Sequence, residues 1–330
     1  MFMKKKVLIT GASGFVGYHL IAQALDAGLQ VFAAVRPSSD VSHLKDFDVT
    51  YTNLQYNSVE ALKADILKNG YNYIIHASGT TKAKTKAEYN RINAEYSRNL
   101  AQAAADSNIE KFVFVSSLAA LGPAGDIGAE IFDDSVPKPV TSYGESKLLA
   151  EQYLNEIENL PLLTFRPTAV YGPREKDIFI VLKSFNMGLE PYIGRFSQRL
   201  SFIYVKDLVD VLLSALKSDI VHRTYNVSDG RDYDRYALGN YSKKFLNKKT
   251  LKFHLPVAGV SLLASCMDRL YANSKSTPAL NKEKMSELTA ANWACDISKL
   301  QRDLNFAPKF NLEQGLEETL SWYKKNNWLS

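Results

Sequence analysis

The sequence predicts an α/β protein: a Rossmann-like, doubly wound parallel sheet with a smaller, mostly helical substrate-binding domain toward the C-terminus. Three observations predict it. An apolar run, Val7 to Ile9, meets Gly11, Gly14 and Gly17, spaced three apart, and then a helical pattern. Apolar strand-like runs alternate with helical periodicity as far as Arg166, and beyond Pro167 the alternation weakens. Continuous apolar strands separated by helices mark a parallel sheet covered on both faces. The expected division places residues 1–170 in a dinucleotide-binding domain to which 201–230 return, and 171–200 with 231–330 in the substrate-binding domain.

The first strand ends at the glycine turn. Glycines serve there because the turn demands unusual dihedrals, a pyrophosphate must approach the backbone, and the helix must pack tightly on its strand. Unpaired N–H groups at the helix start then make a phosphate site. The helix carries Leu20, Ile21, Ala24 and Leu25 and stops at Gly28; Val31 to Val35 is the second strand and Asp48 to Leu54 the third. A helix from Asn57 to Lys68 opens on Asn57 with Glu60, and Tyr71 to Ala77 is the fourth strand. Thr85 with Glu88 forms a second capping box, starting a long amphipathic helix through Tyr89, Ile92, Tyr96, Leu100 and Ala103. Lys111 to Val115 is the fifth strand; Ser142 with Glu145 caps a helix toward Glu158; Leu162 to Arg166 is the sixth strand, and Thr224 to Ser228 a later strand returning to the sheet.

A chain of 330 residues with 40 basic and 35 acidic side chains has a net charge of +5, too mild an excess to argue for nucleic acid. Lys82, Lys84 and Lys86 form either a solvated face or a reception site for an anionic substrate group. Cys266 and Cys295 make neither a disulfide framework nor a zinc site, so no metal is expected and a reducing cytoplasm fits. MFMKKK is basic, yet the apolar run after it breaks at Thr10, and no targeting signal is read. Leu255 to Met267 is about half the length that spans a bilayer. It reads as a buried or pocket-lining helix, with peripheral membrane contact as the alternative and no stable insertion.

Tyr143 and Lys147, four apart in a helix, project from one face. An ammonium beside a phenol favours the phenolate, making Tyr143 a candidate general acid/base. Ser116 and Ser117 end the fifth strand, where an open sheet presents residues to its ligand, and either hydroxyl there holds a substrate carbonyl or bonds local backbone. No GxSxG, P-loop or HExxH pattern supports a rival chemistry.

Taken together these motifs resemble the extended short-chain dehydrogenase/reductases, which include the NAD-dependent epimerase/dehydratase group. The likeness runs through TGASGFVG (Thr10 to Gly17), IIHASG (Ile74 to Gly79), YNRINAEYSRNL (Tyr89 to Leu100, with Asn93), FVFVSSLAALG (Phe112 to Gly122), YGESK (Tyr143 to Lys147), RPTAVYGP (Arg166 to Pro173) and SFIYVKDL (Ser201 to Leu208), in the family's order. It implies that Tyr143 is the acid/base, that Lys147 binds the nicotinamide ribose and lowers the pKa of Tyr143, and that Ser117 orients the substrate oxygen. It further implies that Gly11, Gly14, Phe15, Val16 and Gly17 cradle the pyrophosphate, that Ala77, Ser78, Gly79 and Ser116 line the cofactor, and that Pro167 and Thr168 approach the nicotinamide. Asn53 and Leu54 fall where family members often place an Asp before an apolar residue at the adenine. The resemblance also implies a homodimer joined through the helices at 89–106 and 142–158.

Arg36, at the end of the second strand, suits the 2′-phosphate of NADP; the alternative is a solvated arginine, with Asp40 serving NAD. Nucleotide-sugar epimerases of the family usually carry an Asn and an Arg where this chain has Ala169 and Leu200, with Arg199 one residue off, and dehydratases an Asp-Glu pair where it has Leu118 and Ala119. In motif detail the chain is similar to dihydroflavonol reductases and 3-beta-hydroxysteroid dehydrogenases. The leading expectation is therefore an NADP-preferring reductase or dehydrogenase for a small-molecule carbonyl or alcohol. A nucleotide-sugar epimerase or dehydratase is the alternative, and an NADP-binding regulatory or scaffold protein a third reading.

Overall fold

The computed structural model describes residues 4–271, 274, 278 and 280–329. In chain order the first half runs β1 (Lys6–Thr10), α1 (Phe15–Asp26), β2 (Gln30–Ala34), β3 (Thr50–Thr52), α2 (Val59–Asn69), β4 (Tyr73–His76), α3 (Lys86–Asn90), α4 (Tyr96–Ala105), β5 (Lys111–Val115), α5 (Ser142–Asn155) and β6 (Leu162–Pro167). The second half runs β7 (Ala169–Tyr171), α6 (Asp177–Asn186), β8 (Leu189–Ile193), β9 (Arg199–Leu200), β10 (Phe202–Tyr204), α7 (Val205–Ala215), β11 (Arg223–Val227), β12 (Tyr233–Asp234), α8 (Ala237–Leu246), β13 (Leu251–Leu255), α9 (Val257–Tyr271), α10 (Lys282–Thr289), α11 (Ser298–Leu304) and α12 (Leu312–Lys325).

Seven parallel strands form the main sheet in the order β11-β6-β5-β4-β1-β2-β3. The order reverses between β1 and β4, and the crevice at their carboxyl ends is where such sheets bind ligands. Successive side chains point to opposite faces. Val7, Ile9, Ile75 and Val113 thus pack with Leu20 and Ile21 of α1 and Leu208 and Leu212 of α7, while Leu8, Ile74, Phe112 and Phe114 pack with α2, α4 and α5. Each fully buried Leu or Ile contributes about 1.5–3 kcal/mol relative to exposure. As expected, residues near 224–228 return to the sheet, β11 pairing with β6.

Element boundaries shift by a few residues from the sequence expectations throughout, and five differences matter for the packing. α2 is capped by Ser58, whose Oγ accepts from Ala61 N at 3.1 Å, not by Asn57; that start turns Leu62 and Ile66 inward. The third strand is only Thr50–Thr52, because it is an edge strand paired with β2 over three residues. Thr85 Oγ1 accepts from Glu88 N, but Glu88 returns to Lys84 N, so the box is not closed on Thr85. α5 is capped by Thr141, whose Oγ1 accepts from Gly144 N at 3.1 Å; Ser142 instead donates to Glu283 of α10 at 2.5 Å. Fifth, Leu255 to Met267 is not a buried helix: within α9 only Val260 and Ala264 are buried. Among the described residues no helix is long and apolar enough to cross a membrane.

Candidate active site

Gly11 takes φ +68°, and a Cβ there would lie 2.7 Å from Ala77 O and 2.9 Å from Ser78 N. The turn after β1 and the loop after β4 therefore touch backbone to backbone, which only glycine permits. At Gly17 a Cβ would lie 2.2 Å from Gly11 O, so that glycine lets α1 sit against the turn. Gly14 precedes α1 and supplies no side-chain cap, leaving the amides at the helix start, through Phe15 and Val16, available to an anion. This cradle fits a dinucleotide pyrophosphate.

A buried polar chain fixes the loop opposite. Thr10 Oγ1 accepts from Ser78 N at 3.0 Å and lies 2.8 Å from His76 Nδ1, while His76 Nε2 lies 2.8 Å from Ser97 Oγ. Burial, with the nearby Lys147 charge second, pushes the His76 pKa down to about 3, so the ring is neutral at physiological pH. Asn93 sits where the long helix makes a π turn, Arg91–Glu95. Its Oδ1 accepts from Thr80 N at 2.7 Å, and its Nδ2 donates to Thr80 O and Ser146 Oγ. A π turn widens the helix to aim such a side chain inward.

Ser117, Tyr143 and Lys147 converge at the end of β5. Ser117 lies beside Tyr143, where it draws the phenol's pKa down, and its Oγ accepts from Ala119 N at 3.2 Å. Lys147 is buried; its Nζ donates to Val115 O at 2.9 Å, lies 5.0 Å from the Phe114 ring centre, and would be 3.4 Å from a Cβ on Gly79. Burial draws its pKa down to about 8, against a smaller opposing pull from Glu151. The expected acidification of Tyr143 by Lys147 is not met. Burial drives the phenol up to about 12, Ser117 opposes this, and Glu287 and Tyr89 add to it. Burial outweighs the opposing influence, and the phenol stays protonated.

Other expected positions fare differently. Ser116 Oγ donates to Glu151, which is paired with Arg166 at 2.6 Å; this hydroxyl belongs to a buried ion-pair network, not to a cofactor surface. Thr168 N and Oγ1 both donate to Val227 O, tying its side chain to β11 next to buried Pro167. Asn53 is exposed, whereas Leu54 is buried with Leu62 and Ile66. Arg36 is exposed just past β2. Lys82 and Lys86 pair with Asp177 and Glu145, leaving Lys84 lining a cleft beside Tyr89. Arg199 is occupied: Nε donates to Asp232 at 2.9 Å, Nη1 donates to Ile127 O and Ala129 O, and Nη2 pairs with Glu130. Leu118 and Ala120 are buried in a 3-10 turn.

His76, Ser97, Tyr89, Glu287 and the role of Asn93 escaped the sequence reading. Asn93 did leave a signal: with Tyr89, Tyr96 and Leu100 it falls on the apolar stripe of its helix, where a polar side chain needs a partner.

Residues 7–228 match the model of the NAD dependent epimerase/dehydratase family. Over 98% of its length the chain is 25% identical to a ceramide reductase of Caulobacter vibrioides, of which 96% is covered. It is also 25% identical, over 98% of its length and 97% of the relative's, to a UDP-glucose 4-epimerase of Vibrio cholerae. The structure of the Bordetella bronchiseptica enzyme WbmG in complex with NAD and UDP superposes with a TM-score of 0.79, at 18% identity, covering 98% of this chain and 96% of that one.

Proposed function

The chain belongs to the NAD dependent epimerase/dehydratase family, and from that premise we propose that it is a nicotinamide-dependent oxidoreductase acting on a carbonyl carbon and the matching alcohol. The observation that carries this reading is the convergence of Ser117 and Tyr143 at the end of β5, with Lys147 one helical turn on and facing the Gly79 loop. A nicotinamide, when bound, exchanges a hydride with the substrate carbon. Ser117 holds the substrate oxygen, and Tyr143, protonated by virtue of its burial, delivers its hydroxyl proton to that oxygen. Lys147 would hold the nicotinamide ribose, giving up its bond to Val115. The starting protonation state suits reduction.

NADP is proposed over NAD on the strength of Arg36, whose guanidinium is free to fork onto a 2′-phosphate; the NAD in the WbmG complex speaks for the other cofactor. We assign substrate choice to residues 171–200 and 231–330 and expect a homodimer through α3, α4 and α5.

The substrate divides two readings. Site chemistry favours a non-nucleotide carbonyl: Ala169 and Leu200 offer no polar group to a diphosphate, Arg199 is engaged by two carboxylates, and the 3-10 turn after Ser117 carries no acid for a dehydration. The ceramide reductase is in keeping with this. The comparisons as a whole favour the second reading, a nucleotide-sugar epimerase or dehydratase, as the Vibrio enzyme and the UDP complex illustrate. Calorimetric titration with NADPH, NADH and UDP-sugars separates them. NADPH binding with no UDP-sugar response, lost in Arg36→Ser, supports the first reading; strong UDP-sugar binding overturns it in favour of the second.

A further inference from the structure

The outermost layer presents leucines where a surface ordinarily presents charge. β13 pairs with β8 in parallel, setting Leu251 beside Leu189 and Leu255 beside Ile193. Strand alternation puts these on one face of the ribbon and Glu190 and His254 on the other. The second face is satisfied: buried Glu190 bonds Lys243, Thr250 and Tyr192, and His254 lies 3.0 Å from the Tyr236 hydroxyl. The first face is open, with Leu251 67% exposed. α9 extends it, because Ile193 at the ribbon's end packs with Val260 and Ala264. Those two, four apart, seat the helix; on its opposite side Leu262, Leu263 and Leu270 are 67%, 55% and 75% exposed. A surface helix of this length normally turns its charged face to water.

Charge near this face is mostly positive: segments 178–196 and 246–271 carry Lys183, Arg195, Lys248, Lys249 and Arg269, with Lys252 turned to the ribbon's other face against Glu190, while α10, packed on α9, balances Lys282 and Lys284 with Glu283 and Glu287. The two segments themselves hold only two acids, Glu190 and Asp268. Both acids are engaged, Glu190 as above and Asp268 by Lys282 N at 3.2 Å. A twofold contact with a second copy would set these cations against themselves. An anionic lipid surface complements both features, taking leucines below its headgroups and cations among them.

We infer that the exposed face of α9 and the β8–β13 ribbon docks this protein on an anionic bilayer. Asp268 and Tyr271 of α9 line a cleft of about 300 Å³ together with Lys84, Tyr89 and Ser142. Tyr89 stands edge-on to Tyr143, ring centres 6.4 Å apart. α9 thus borders both the docking face and this cleft, so a docked chain would hold the cleft near the lipid. That use rests on the reading of the site given above; the docking itself does not, and its test needs no substrate.

The test is flotation of the full chain with phosphatidylcholine vesicles made with and without phosphatidylglycerol. The protein is expected to float with the anionic vesicles and to be released by salt. Leu262→Asp with Leu263→Asp lowers the bound fraction about tenfold or more, and Lys248→Glu with Lys249→Glu about tenfold. These positions are exposed, so thermal unfolding and nicotinamide binding should stay unchanged in both variants. No flotation of the wild type, or equal flotation of the leucine variant, overturns the proposal. So does a wild-type dimer that the leucine variant dissolves, which assigns the face to a second copy. Turnover of a water-soluble carbonyl without vesicle binding refutes docking alone; vesicle binding without turnover refutes the oxidoreductase reading alone.

Discussion

The strand ends and the layer above them hold charge in opposite ways. Beneath, Lys147 is buried on a backbone carbonyl, and Arg166 forks onto a Glu151 that is itself buried, with Asp133 O as a third acceptor. Above, Lys82, Lys86 and Arg199 meet carboxylates that solvent reaches, the pair of buried Glu190 with Lys243 being the exception. Groups of the first kind cannot be moved without leaving a bare charge in a low-dielectric interior, while those of the second re-solvate at little cost. On the proposed function, the chemistry falls in the rigid part and the substrate contacts in the replaceable part.

The largest expected effect tests the rigid part directly. Tyr143→Phe keeps the ring and removes the proton, so turnover should fall about 10²- to 10⁴-fold while nicotinamide binding, read by fluorescence titration, is spared. Near-normal turnover would break the assignment of chemistry to the strand ends.

Next comes the contrast in stability. Arg166→Met leaves Glu151 buried without its partner and should cost about 3–5 kcal/mol in urea unfolding. Lys86→Met, at an exposed pair with Glu145, should stay within about 1 kcal/mol. Equal costs would erase the distinction between the two regions.

A third test uses pH. The Lys147 pKa lies near 8 in the folded protein, below its ordinary value of 10.5. Between these values the unfolded chain binds the extra proton, so this group makes stability rise with pH across that window. Tyr143, raised from its ordinary 10 to about 12, pulls the other way once the unfolded phenol ionises, so the test is read below about pH 9.5. Chemical denaturation of the wild type and Lys147→Met from pH 8 to about 9.5 should show the rise in the first and its absence in the second. Parallel curves would mean that the ammonium is solvated.

The same division explains what the sequence made legible. The sheet, the glycine cradle and the placing of Tyr143 and Lys147 on one helix face follow from short-range pattern, because a strand–turn–helix or a helical turn brings its own residues together; Ser117 is singled out beside them only by the family resemblance. The partners of those residues do not. His76 meets Ser97, and Asn93 meets Thr80 and Ser146, only after separate βα units have packed, and no periodicity encodes that. Ser116 read as a site residue because it ends a strand; its carboxylate partner is 35 residues away. The direction of the Tyr143 shift was missed for a related reason. Spacing places a lysine on the same helix face, but only the fold shows that its ammonium is taken by Val115. In the outer layer the apolar run at 255–267 pointed inward by composition, while its neighbours left only Val260 and Ala264 something to bury against.

The smallest test compares two adjacent hydroxyls at the junction of the two regions. Thr141 and Ser142 both stand at the start of α5, and either could cap it by residue type. Thr141 does so, accepting from Gly144 N, while Ser142 reaches across to Glu283 of α10. Thr141→Ala removes the partner of a helix amide and should cost about 1 kcal/mol, seen as a lower unfolding midpoint. Ser142→Ala removes a bond between the rigid helix and the outer layer, where the carboxylate re-solvates, and should change the midpoint by less than about 0.5 kcal/mol. Its effect belongs instead to local opening. Hydrogen exchange should quicken in α10 and not in α5, since sub-global openings follow the contacts that hold each segment. Faster exchange in α5 would show that Ser142, not Thr141, anchors the helix that presents Tyr143 and Lys147.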